Sequence, residues 1–220
     1  TRRSSDLSDH IKKWPSSGAR QAVIDAVLNA ATKERALDVL ANFIATAPGL
    51  PARTYHQAVN FLGTVDSLRP QALKFVDAGI AAAKDEQRKP QYMGISEWKE
   101  EQRLASSQLR YVQGAILNAE GKQADAIAAL EQSVEIGGDE LEKGAAEMLV
   151  TLQRNAGNTK RAIAVAERSI SLGVSTQGIV DAYRAMLAAK GKDSADIAEL
   201  EQELRAEGRK RMSAKVVQNM

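Results

Sequence analysis

Residues 108–138, QLRYVQGAILNAEGKQADAIAALEQSVEIGG, hold two apolar stripes at helical spacing with a glycine between them. Leu109, Val112, Ile116 and Leu117 fall at intervals that make one face of a helix apolar, and the pattern stops at Gly121. Ala126, Ile127, Leu130 and Val134 resume it. Gly137-Gly138 then close it, since glycine can take the left-handed conformation that ends a helix. The stretch reads as a helix, a tight turn and a second helix.

The same layout returns along the chain. Gly121 and Ala126-Ile127 have counterparts 36 residues later in Gly157 and Ala162-Ile163. A further copy follows after 34 residues, with Gly191 at the turn and Ile197, Leu200 and Leu204 in the second helix, although Asp196 replaces the alanine. Toward the N-terminus, Ala36-Leu37 precedes Leu40, Ile44 and Pro48, and 36 residues later Ala72-Leu73 precedes Val76 and Ile80. Five helical hairpins are predicted, with turns near Thr32, Leu68, Gly121, Gly157 and Gly191. Small residues such as Gly114 and Ala126 would let the helices of a hairpin approach closely, and stacked neighbours would bury the stripe that one hairpin leaves exposed.

Gly114, Gly121 and Ala126, together with Ala36 and Pro48, resemble the small, turn, second-helix and closing positions of the tetratricopeptide repeat (TPR) family. The resemblance is best over residues 107–176, fainter over 17–84 and faintest over 177–210. Val150 stands where the family usually has glycine, and most of the family's first-helix Trp and Tyr are missing. What the resemblance implies is an all-α, right-handed superhelical array of about five TPR-like hairpins.

Composition agrees with such a fold. Ala occurs 37 times among 220 residues beside nine aromatics and five prolines, a mix that favours closely packed helices over sheets. With 30 basic against 28 acidic residues the net charge is +2, which gives no reason to expect nucleic acid as a partner. No apolar run reaches the roughly 18 to 20 residues that cross a bilayer, so direct membrane insertion is not expected. The polar start shows no signal peptide, and the absence of an initiator Met leads to the expectation that the chain is a piece of a longer protein.

Domain organisation follows the repeats and their interruption. Residues 1–16 are predicted to form a short N-terminal helix ended at Trp14-Pro15, and residues 17–84 two hairpins. From Ala72 to Ala126 is 54 residues, so an insertion of about 18 separates the second and third hairpins. Residues 85–106 are assigned to this linker and a helical extension, with Ser96 as N-cap. An alternative lets the insertion fold over a groove and offer Tyr92, Met93 and Trp98 to a ligand. Residues 107–210 supply three hairpins and 211–220 a tail, beside the basic group Arg209, Lys210, Arg211 and Lys215, read as a solvated helix end.

Chemistry finds little footing. Zero cysteines exclude thiolate metal sites, disulfides and cysteine nucleophiles. His10 and His56 are 46 residues apart with no second ligand at helical spacing, and phosphate loops and nucleophile elbows are missing. Asp139-Glu140 and the pair Glu199 and Glu201 are read as solvated decoration in turns or on exposed helix faces. No catalytic residue, cofactor or metal is expected.

What remains is a surface. In TPR arrays the first helix of each hairpin lines a groove, and transferring those positions gives Gln57, Phe61, Tyr111, Asn118, Glu147, Arg154 and Asp181, with Ala115, Thr151 and Ala185 among them. The set lacks the Lys, Asn and Arg clamp with which some members hold a terminal carboxylate. The expectation is a non-catalytic scaffold for a protein or peptide. Two alternatives stand beside it: a helical accessory region of a larger bacterial cell-envelope enzyme such as a thioredoxin-like protein, and a self-associating adaptor forming a homodimer.

Overall fold

The computed structural model describes residues 37–46, 49–89 and 93–218, with Ala26 and Asn29 besides. The predicted N-terminal helix, the turn near Thr32, Ala36, Pro48 and His10 lie outside the described residues. Among the described residues all regular structure is helical, with nine α-helices, two 3-10 turns and no strand. The chain divides into two compact units, one ending at Glu120 and the other starting at Gly121. That boundary falls inside the repeat predicted for residues 108–138.

The first unit contains α1 (Leu37–Thr46), α2 (Ala52–Leu62), α3 (Arg69–Ala83) and α4 (Ile95–Ala119). Helix α2 starts after Pro51, whose extended backbone cannot continue a helix backward, and α3 carries Pro70 in its first turn, where a missing N–H costs nothing. A 3-10 turn, Asp66–Leu68, joins the two at the place predicted for a turn. Helices α2, α3 and α4 pack on one another and α1 packs on α2. Leu40, Phe43, Ile44, Tyr55, Val59, Leu62, Phe75, Val76, Leu109, Val112 and Ile116 form the core. Gly79 marks the closest approach, because a β-carbon there would lie 2.7 Å from Tyr55 Cβ and 2.8 Å from Leu109 Cδ1.

Local polar contacts are made by the described residues of the insertion. Asp85 Oδ1 accepts from the Gln87 amide at 3.1 Å, opening the 3-10 turn Glu86–Arg88, and Lys89 Nζ donates to the Met93 carbonyl at 2.8 Å. The N-cap of α4 is Gly94, not Ser96. The Trp98 amide donates to the Gly94 carbonyl at 2.9 Å, which places Ser96 within the first turn. Trp98 is only 2% exposed, so it is a packing residue and not part of a lid. Met93 is half-buried, and Tyr92 lies outside the described residues.

The second unit contains α5 (Gln123–Gly137), α6 (Lys143–Asn155), α7 (Thr159–Ser171), α8 (Gln177–Ala188) and α9 (Ser194–Gln218). Each helix packs on the next, and α6 also meets α8 as α7 meets α9. Gly121, Gly157 and Gly191 have φ of 75°, 78° and 84°, so each predicted turn glycine takes a conformation that costs other residues strain. Helix α9 runs to Gln218, through the stretch read as a tail, and is 25 residues long beside the 13 and 12 of α7 and α8.

Candidate functional site

Helix α2 has one face inside the core and one flank at its edge. Ala52, Thr54, Tyr55, Ala58, Val59 and Leu62 are buried, and from Thr54 the half-buried Gln57 and the exposed Phe61 follow about a turn apart along the border of the buried arc. Phe61 is 43% exposed, and with Ile95 it is one of two exposed large hydrophobic residues among those described. The Gln57 side-chain oxygen and the Thr54 hydroxyl are shielded from water and have no hydrogen-bond partner. On the opposite flank, Asn60 Nδ2 and His56 Nε2 are 2.9 Å apart. Burial lowers the His56 pKa, so the ring stays neutral at pH 7 and the Asn60 amide can donate to it.

Helix α4 places Tyr111 half-buried against the first unit's core, with Asn118 two turns further along, also half-buried. Gln57, Phe61, Tyr111 and Asn118 thus belong to the first unit. Tyr111 takes part in packing as well as offering an edge to solvent.

Glu147, Arg154 and Asp181 belong to the second unit. Arg154 is exposed. The Glu147 carboxylate lies on the first turn of α8, where Gly178 makes room for it; a β-carbon at position 178 would collide with Oε1. An acid at that place faces the positive end of a helix, so Glu147 has a packing role at the α6–α8 contact. Asp181 is exposed and accepts from Gln177 Nε2 at 2.8 Å, with Arg184 3.8 Å away.

Two polar clusters of the second unit escaped the sequence reading. Glu131 Oε1 accepts from Gln153 Nε2 at 2.8 Å and from Arg161 at 3.1 Å, tying α5 to α6 and α7. Glu201 is 7% exposed, not the surface decoration expected of it. Its Oε2 accepts from Arg184 Nε at 2.9 Å and Nη2 at 2.7 Å, and its Oε1 accepts from Arg205 Nε at 3.0 Å and Nη2 at 2.8 Å. Burial alone would raise the Glu201 pKa, but the hydrogen bonds from Arg205 and Arg184 outweigh it and hold the carboxyl below its ordinary value. Next to it Tyr183, 1% exposed, donates to Glu167. Burial, then the charges of Glu167 and Glu201, push its hydroxyl up to about 12.

Among the described residues no group of three or more His, Asp or Glu side chains is placed to hold a metal ion, and no helix is long and apolar enough to cross a membrane. Both clusters pair an acid with guanidinium groups, Glu131 with Arg161 and Glu201 with Arg184 and Arg205, while the Gln153 side-chain oxygen beside Glu131 is buried without a hydrogen-bond partner. No family model, curated protein or solved structure matches the chain.

Proposed function

We propose that the chain is a non-catalytic interaction scaffold of TPR-like hairpins, a right-handed superhelical array whose first-helix faces hold a protein or peptide. The observation that carries this reading is Phe61. A ring 43% exposed, on the flank of an otherwise core-forming helix and at a position that lines the groove in TPR arrays, is a side chain suited to anchor a partner. The consecutive packing of α5 through α9 supports the hairpin array. The ion pairs of Glu131 and Glu201 with residues of neighbouring helices support a structural use of charge.

Panning a random peptide library on the full chain, in parallel with F61A, tests the reading. A recurrent sequence preference that F61A loses supports it. Absence of any preference, or the same peptides enriched on both proteins, overturns it.

A further inference from the structure

The contact surface of α9 differs in kind from those of the helices beneath it. Helix α7 buries Ala162, Ile163, Ala166 and Ile170, and α8 buries Ile179, Val180, Tyr183, Met186 and Leu187. On α9 the inward positions follow the helical repeat as Ile197, Glu201, Leu204 and Gly208. Of the large apolar residues there, Ile197 is buried, while Leu200 and Leu204 are half-buried. The middle of the seat is the Glu201 carboxylate.

That carboxylate joins α9 to α8, a pair that packs less extensively than α9 does on α7. Arg184 reaches it from α8 and Arg205 from α9 itself, so one group sets both the register and the hold of α9. The other charged and titratable groups around it are Asp181 and Tyr183 on α8 and Glu167 on α7. Beyond Gly208 the helix continues with exposed Arg209, Lys210 and Arg211. At 1.5 Å per residue α9 is about twice as long as either helix it packs on.

We propose that α9 is a detachable clasp on the second unit, latched by the Arg184–Glu201–Arg205 triad, and that breaking the triad frees α9 from α7 and α8 while α5 to α8 keep their fold. Opening uncovers Tyr183 and the adjoining α7–α8 surface. The clasp is a property of the second unit alone and does not rest on the proposed scaffold role.

Hydrogen exchange of backbone amides, followed by mass spectrometry on the full chain, tests the clasp. E201Q keeps the shape of the side chain and removes its charge. The expected result is faster exchange across residues 194–208, by about tenfold or more, with α6 and α7 within about twofold of the parent chain. R205Q, which leaves Glu201 one guanidinium, should show a smaller acceleration confined to the same residues. Unchanged exchange in α9 overturns the clasp, as does loss of protection in α6 and α7 in step with α9. If E201Q does not fold, R205Q decides between the same outcomes.

Discussion

Gly208 of α9 lies against the backbone carbonyl oxygen of Ser171 at the end of α7, so close that a β-carbon at position 208 would overlap it. A side chain in the way could rotate, but a carbonyl within a helix end cannot. Gly208→Ala should therefore push α9 off its seat and destabilise the second unit by about 1 to 3 kcal/mol, the usual cost of overpacking. Urea unfolding of the variant beside the parent chain measures it. A change below about 0.5 kcal/mol would mean that α9 does not approach α7 as described.

Gly157 is the opposite case. A β-carbon there would meet nothing within 4 Å, yet φ is 78°. The cost of substitution is thus backbone strain without a clash. Gly157→Ala should cost about 1 kcal/mol and Gly157→Asn less, because asparagine tolerates the left-handed region. Equal losses for both, by thermal or urea unfolding, would contradict this origin.

These two glycines show where the sequence was readable. The turn at Gly157 depends on its own conformation and on the 36-residue recurrence, both local signals, and so it was found together with Gly121, Gly191 and the turn near Leu68. Gly208 touches a residue on another helix, with no nearby pattern to mark it. Glu201 escaped for the same reason, since on α9 it looks like one more acid, and only Arg184 on the preceding helix explains its burial. Trp98 and Gly94 show the limit within one helix: polar neighbours at 96, 97 and 99–103 hid a packed tryptophan, and the cap lies two residues before the serine expected for it. Among the groove positions that the TPR resemblance implies, Phe61 has an exposed ring, whereas Glu147 lies against the start of α8, a contact made with another helix that no local pattern marks.

Tyr183 yields a test in alkali. Its folded pKa, about 12, lies above the ordinary 10, so its contribution to stability is full below pH 10 and is lost as pH rises toward 12. In a spectrophotometric titration of the phenolate one tyrosine should ionise late, or only with unfolding, and Y183F should lack that step. A titration in which Y183F removes an ordinary step near 10 would contradict the buried contact with Glu167.

Acid probes Glu201. Its folded pKa lies below the ordinary 4.5, so the triad's stabilisation is present above that value and fades as pH falls through the folded one. The unfolding free energy of the parent chain should drop more steeply than that of E201Q over this range, and the two curves should converge at the acid end. Parallel curves would show that Glu201 gains nothing from Arg184 and Arg205 on folding.

Phe61 and Tyr111 separate binding from folding. Phe61 is 43% exposed, so Phe61→Ala should change stability by no more than about 0.5 kcal/mol. Tyr111 packs on the first unit's core, and Tyr111→Ala should cost about 1 to 3 kcal/mol, which makes it a poor probe of a binding surface. With a peptide obtained by panning, Phe61→Ala should weaken binding by about 2 kcal/mol, near thirtyfold, as loss of an aromatic anchor does. Lys122→Ala, at an exposed position, should leave both affinity and stability as they are. Calorimetric titration beside a denaturation curve gives both quantities for each variant. A folded F61A chain that binds the peptide as tightly as its parent would remove α2 from the proposed groove.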